Sequence, residues 1–298
     1  MSEIDNLSNS TGAKPPLNLT RLSFDSFEQW QAYKKKYSKW LDQIWRWHGT
    51  IGNRAEDFAL PGLCEICERQ TSFASRSKKA PEGGPFEYEV DWWNTLCGCG
   101  MPTLDRSVIH FLLEGVSGRQ AKIYHVGQYS LLARWIAENC QDVTLSQFEE
   151  GRRPGEIANG VRYETLTELS FDDNTFDALA CTEILEHIPD YKLAMREMAR
   201  VLAPGGLALL TFPWLGGDHY EHRVRAEMRP DGTIVHFLPP EYHGDPAKKE
   251  GILSFRAFGW KVLDELREAG FASVSANFLF GPLHGYMSVL NPVLVAVK

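Results

Sequence analysis

Residues 160–213 read GVRYETLTELSFDDNTFDALACTEILEHIPDYKLAMREMARVLAPGGLALLTFP. Phe176–Cys181 is a short apolar run entered from a turn-forming Asp-Asp-Asn, as a buried strand would be. Tyr191–Leu202 follows with helical spacing, Pro204-Gly205-Gly206 reads as a turn, and Leu207–Phe212 is a further strand. Phe176 is expected to anchor its strand in the core and Asp177 to cap or pair locally. Thr182, Glu183 and His187 then fall at the strand's carboxyl end.

The same alternation extends outward in both directions. Upstream lie a strand at Lys122–Val126, a helix over Ser130–Asn139, and strands at Val143–Ser146 and Val161–Tyr163. Downstream, Phe255–Ala269 is expected as a helix stopped by Gly270, followed by strands at Phe271–Phe280 and Met287–Val297. Alternating strand and helix predicts an α/β fold with a mostly parallel sheet covered on both faces. Ligands bind such sheets beyond the carboxyl ends of the strands. The last two strands leave no room for a helix between them, so an antiparallel C-terminal hairpin is expected at the sheet edge.

The chain has 298 residues, 43% of them hydrophobic, enough for one large α/β domain and a smaller appendage. Lys and Arg number 31 against 39 Asp and Glu, a net charge of −8. That balance argues against nucleic acid as a partner. No apolar run approaches the length of a membrane span, so no membrane role is expected. Met1–Pro16 is polar, lacks the apolar core of a secretory signal, and reads as a disordered lead-in. A reducing, cytoplasmic compartment follows, in which Cys140 and Cys181 act as small buried hydrophobes. The expected organisation is a lead-in over 1–20, a helical and cysteine-rich module over 21–106, and the sheet domain over 107–298 with an insertion at 213–254.

Within the module, Phe24, Phe27, Trp30, Tyr33, Tyr37, Trp40, Ile44, Trp45 and Trp47 recur at helical spacing. They predict one or two helices docked on the main domain or on another chain, with self-association of this protein as one outcome. Cys64-Glu-Ile-Cys67 and Cys97-Gly-Cys99-Gly100 then place four thiols in two pairs, the donor set of tetrahedral structural zinc. The alternative is four unrelated reduced cysteines.

Four elements in order carry a family resemblance: Phe176-Asp177, Leu185-Glu186-His187, Arg200-Val201-Leu202 and Pro204-Gly205-Gly206. With this spacing the chain resembles class I S-adenosylmethionine-dependent methyltransferases of the small-molecule and glycan-modifying kind. The resemblance implies a Rossmann-like sheet and S-adenosylmethionine as cofactor. It also implies O- or N-methyl transfer to a small-molecule or sugar-type acceptor. Similar enzymes carry a cysteine-rich segment in front, and a Pro-Glu-Tyr-His-Gly-Asp-Pro run and Phe-Gly-Trp element like Pro240–Pro246 and Phe258–Trp260 here.

The family's cofactor residues map onto His125, Gly127, Gln128, Gln147, Thr165, Leu166 and Glu183. Gly127 matches the first glycine of the cofactor loop. Tyr129 and Leu131 stand where later glycines are usual, His125 where an acid ends the first strand, and Gln147 where an acid takes the ribose hydroxyls. A variant cofactor site and a repurposed pocket, used for other chemistry or for non-catalytic binding, are both compatible with these changes. The insertion carries Tyr220, Phe237, Tyr242 and four histidines, the composition of an ordered substrate lid. Histidine suits removal of an acceptor's proton near neutral pH, so His243, His222, His219 and His187 are the candidate bases. Arg223 and Arg225 are candidates to grip an anionic acceptor.

Overall fold

The computed structural model describes residues 19–80, 87–116, 121–245, 248–287 and 292–298. All but the end of the expected lead-in lies outside them. The chain divides into two compact units, the first of residues 1–24, 28–110 and 277–291, the second of 25–27, 111–276 and 292–298.

In the first unit, helices α1 (Phe27–Lys36) and α2 (Ser38–Gly52) carry the aromatic stripe. Ile44, Trp47 and Ile51 of α2 form one core with Leu60, Cys64, Phe73, Cys97, Phe280 and Met287. Trp30 stacks on Phe278 with ring centroids 5.8 Å apart. Most of the stripe is therefore spent inside its own unit, and Tyr37 and Trp45 stay exposed. Phe58–Cys64 and Arg69–Ser75 form an antiparallel hairpin in which Cys64 pairs with Arg69. Arg21 donates from its guanidinium to Asn277 Oδ1 at 3.0 Å, holding Thr20–Phe24 beside the end of a strand that begins in the other unit. Helix α3 is Thr103–Gly115, of which residues 103–110 belong to this unit.

The second unit is built on the strands β1 (Lys122–Val126), β2 (Asp142–Ser146), β3 (Phe176–Thr182), β4 (Leu202–Thr211), β5 (Ser273–Phe280) and β6 (Val293–Val297), in the order β5-β6-β4-β3-β1-β2. β3 runs parallel to β1 and β4, and β1 parallel to β2. β6 runs antiparallel to β4, with Leu209 opposite Val295. The closing strand therefore lies inside the sheet. Its Val-Leu-Val-Ala-Val sequence suits a position flanked on both sides. Helices α4 (Leu131–Asn139), α5 (Tyr191–Val201) and α6 (Val262–Glu268) complete the alternation.

The diagnostic stretch is mainly structural. Phe176 is buried and stacks on Tyr124 at 5.2 Å, and Asp177 accepts a hydrogen bond from the Lys122 N–H at 2.8 Å. Arg200 donates to the carbonyls of Phe171 and Leu169 at 2.7 and 2.8 Å, clamping the loop that leads into β3.

Three local expectations are corrected. Pro204-Gly205-Gly206 lies within β4 as an irregularity, because the C-terminal Lys298 hydrogen-bonds the backbone of Gly205 and Gly206 there. Val161–Tyr163 supplies only a two-residue strand, paired with Ile157–Ala158, and a bridge from Tyr163 to Gln147 beside β2. The helix expected from Phe255 begins at Val262. Phe255–Trp260 is extended, since its N–H groups are taken by Glu186, Pro213 and His219 carbonyls and its aromatics are buried. The insertion is ordered into short ladders, Arg223–Val224 with Arg256–Ala257, Ala226–Met228 with Ile234–His236, and Tyr242–Asp245 with Lys248–Leu253. No helix among the described residues is long and apolar enough to cross a membrane.

Candidate active site

The carboxyl ends of β1, β2 and β3 bring together most of the residues expected around a cofactor. Gly127 follows β1 at φ +97, a conformation that costs other L-residues about 1–2 kcal/mol. A Cβ built there would meet nothing within 4 Å among the described residues, so the backbone is open on that side. Half-buried Gln147 follows β2, its N–H held by the Arg162 carbonyl at 2.9 Å. Thr165 is half-buried and Leu166 buried on the next loop. Gln128 is half-buried, while Tyr129 and Phe148 are 68% and 61% exposed. Tyr129 therefore turns outward and does not occupy the space that a glycine would leave.

His125 has a different place from the one expected. It is 1% exposed, and burial lowers its pKa to about 4 against the opposing bond to Ala180. Nδ1–H donates to the Ala180 carbonyl at 3.0 Å, leaving Nε2 to accept from Ser130 Oγ at 3.2 Å. Ser130 in turn accepts from the Ala133 N–H at 3.0 Å and caps α4. Both ring nitrogens are used internally, so His125 positions the loop and helix and presents no free nitrogen to a ligand.

At the end of β3 the chain turns through Glu183, held at φ +53 with its N–H on the Thr211 carbonyl at 2.9 Å. A non-glycine residue in this region stores strain, commonly at functional sites. Burial, then the neighbouring Glu186 carboxylate, lifts the Glu183 carboxyl to about 8, against Thr211 and His243. The single turn Leu185–His187 follows. It is stapled to the end of the insertion: Phe255 N–H bonds the Glu186 carbonyl at 2.8 Å, and Arg256 donates to the Ile188 and Pro189 carbonyls at 2.6 and 3.0 Å.

The four candidate histidines separate into distinct environments. His187 and His243 come together, ring centroids 5.2 Å apart, over the buried carboxylate of Glu186. Glu186, first of all, raises the His243 pKa to about 9, against burial and with help from Glu241. His222 accepts from the Gly259 N–H at 3.0 Å and donates to Glu265 at 2.8 Å, so neither ring nitrogen remains for a substrate. His219 is exposed, and its carbonyl receives the Trp260 N–H. Arg225 is paired with Glu241, and Arg223 lies exposed in its ladder. Glu186 and Glu241 enter the sequence reading only as parts of the Leu185-Glu186-His187 and Pro-Glu-Tyr-His elements, not as site residues. Nothing in their spacing distinguishes them from surface acids, and only the fold inverts that.

In the first unit, Cys64, Cys67, Cys97 and Cys99 present four sulfur atoms all within 4.8 Å of one another. Sγ of Cys67 and Sγ of Cys97 are 3.8 Å apart. A tetrahedron of sulfurs about 2.3 Å from Zn²⁺ has edges of roughly 3.8 Å, so this donor set fits that ion. Burial, then Cys64 and Cys97, pushes the Cys67 thiol up to about 12.

Residues 127–210 match the methyltransferase domain family. The matched residues lie in a mostly parallel sheet of class I methyltransferase fold. Over 42 residues it is 52% identical to a demethylmenaquinone methyltransferase of Staphylococcus carnosus, a stretch covering 14% of this chain and 17% of that protein. Over 172 residues it is 28% identical to a sterol 24-C-methyltransferase of Gibberella zeae, covering 56% of this chain and 38% of that one. The chain thus spans less than half the length of these curated relatives. A solved S-adenosylmethionine-dependent methyltransferase from Mesorhizobium loti aligns with a TM-score of 0.40 at 16% identity, covering 63% of this chain and 95% of that chain. The methyltransferase domain match begins at Gly127 and ends in β4, so it contains Gln147, Glu183 and the Glu186–His187 turn.

Proposed function

We propose that this chain is an S-adenosylmethionine-dependent methyltransferase acting on a hydroxyl or amine of a small-molecule acceptor, sugar-type compounds among them. The observation that carries the reading is the open backbone turn at Gly127, which follows β1 and donates its N–H to the carbonyl of Ser146 at the end of β2 at 2.9 Å, inside the matched methyltransferase domain. The named relatives, which act on demethylmenaquinone and on a sterol, support a small-molecule acceptor.

When bound, S-adenosylmethionine supplies a methyl carbon on a sulfonium, and displacement leaves a neutral thioether. The chain's own residues do the rest by positioning. Gly127 admits the cofactor close to the backbone, and Gln147 can both donate to and accept from ribose hydroxyls. Leu166 offers an apolar surface beside it. The acceptor's lone pair forms the new bond to the methyl carbon, and its proton leaves toward the Glu186–His187–His243 cluster. His187 suits that task. Its Nδ1–H donates to the Leu253 carbonyl at 2.9 Å, which fixes Nε2 as the nitrogen with a free lone pair. We further propose structural zinc on the four cysteines, holding the first unit together.

Calorimetric titration with S-adenosylmethionine and S-adenosylhomocysteine tests the cofactor. Micromolar binding that weakens about tenfold in Gln147→Ala is expected. Folded protein that binds neither compound overturns the reading. Release of S-adenosylhomocysteine on addition of hydroxyl or amine acceptors then tests the transfer itself. His187→Ala is expected to lower that rate by about 10² or more with cofactor affinity kept.

A further inference from the structure

The carboxylate of Glu186 is fully buried, and among the described residues neither of its oxygens accepts a hydrogen bond. Oε1 faces His187 Nε2 at 3.6 Å and His243 Nδ1 at 3.5 Å. The far side of each imidazole is already occupied. His187 Nδ1–H donates to the Leu253 carbonyl at 2.9 Å, and His243 Nε2–H donates to Glu241 Oε1 at 3.0 Å. With both imidazoles neutral, three acceptors converge on one point, an anionic oxygen and two nitrogen lone pairs; a proton on His243 Nδ1, which Glu186 favours, competes with a metal ion for that point. Such an arrangement repels itself unless something positive lies between its members.

We propose that Glu186, His187 and His243 form a binding site for a divalent transition-metal ion, distinct from the cysteine cluster. Two imidazoles and one carboxylate are the donor set of open first-row metal sites. Histidine ligands of such sites characteristically donate their remaining N–H to a carbonyl or a carboxylate, as His187 and His243 both do here. Donors about 2.0–2.1 Å from an ion lie roughly 3.3 Å apart in a tetrahedron. The observed 3.5 and 3.6 Å separations therefore close by a few tenths of an ångström. The three ligand atoms lie within 4.8 Å of one another. Three ligands from the chain leave a coordination position open to an exchangeable oxygen.

The likeness to the cysteine cluster ends at the donors. Nitrogen and oxygen ligands suit Co²⁺, Fe²⁺, Mn²⁺ and Zn²⁺, whereas four thiolates select Zn²⁺. If the methyl-transfer reading holds, a bound ion would take the place of His187 as base: Nε2 would be a ligand, and an acceptor hydroxyl at the open position would lose its proton to water more readily. Metal binding itself does not depend on that reading.

The test is Co²⁺ titration of the full chain preloaded with one equivalent of Zn²⁺, followed by absorption. Co²⁺ entering the cysteine cluster gives intense thiolate charge-transfer bands in the near ultraviolet, which a nitrogen–oxygen site lacks. The expected result is one equivalent of Co²⁺ with visible d–d bands and no thiolate band, weakened at least tenfold in His243→Ala and in Glu186→Gln. His222→Ala is expected to bind as the unaltered chain does. Should Glu186→Gln fail to fold, His243→Ala, whose residue belongs to the insertion, still decides. No d–d bands in the unaltered chain, as when His243 is simply protonated, would overturn the site, as would unchanged affinity in His243→Ala. No cofactor takes part, so either result leaves the methyl-transfer proposal to be judged separately.

Discussion

His125 illustrates what a single buried polar residue contributes. The pKa of the buried ring is lowered to about 4, while an unfolded histidine titrates near ~6.5. As pH falls below ~6.5 the unfolded chain takes up a proton that the folded chain refuses, so stability falls with it. The contribution is fully present above the unfolded value and is lost down to about pH 4. Urea midpoints measured from pH 7 to 4 are expected to fall more steeply for the unaltered chain than for His125→Asn.

At the scale of elements, Gly259 joins the end of the insertion to α6. A Cβ there would lie 2.4 Å from the Glu221 carbonyl oxygen and 2.5 Å from that of Tyr220. Gly259→Ala is expected to cost about 1–3 kcal/mol, read as a lowered chemical-denaturation midpoint. Ser130 sits at another junction, accepting from Ala133 N–H and donating to His125. Ser130→Ala is expected to cost about 1 kcal/mol as a lost cap, and two-state urea unfolding measures it. Glu265 ties the insertion to α6 and α5 through His222, Tyr191 and Lys192. Burial alone would raise its carboxyl. Bonding and charge from His222, then Lys192 and Tyr191, outweigh that and hold it at about 2. Its stabilising effect is present above ~4.3 and is lost as pH falls through about 2.

At the scale of the whole molecule, the first unit rests on a small core into which Cys64 and Cys97 are built. The short segment from Gly62 to Arg106, rich in Gly and Pro and poor in periodic signal, needs a staple to hold one shape. Removing zinc with a strong chelator is expected to raise hydrogen exchange over Phe58–Ser75 while β1, β3 and β4 keep their protection. Equal protection with and without chelator would show that the cysteines do not stabilise the unit through a metal.

What the sequence determined by itself was the order of strands and helices, because alternating apolar runs and helical spacing are local signals. The lines Phe176-Asp177, Arg200-Val201-Leu202 and the two cysteine pairs were legible for the same reason: each acts over a few residues or at a regular spacing. Tertiary structure alone decided that β6 lies inside the sheet, that Phe255–Trp260 is extended, and that Tyr129 turns outward. It also decided which histidines meet. His187 and His243 lie on either side of α5, β4 and most of the insertion, and Glu186 reads only as part of the Leu185-Glu186-His187 element. Their chemistry comes from burial and proximity, which depend on how distant segments pack and leave no periodic trace along the chain.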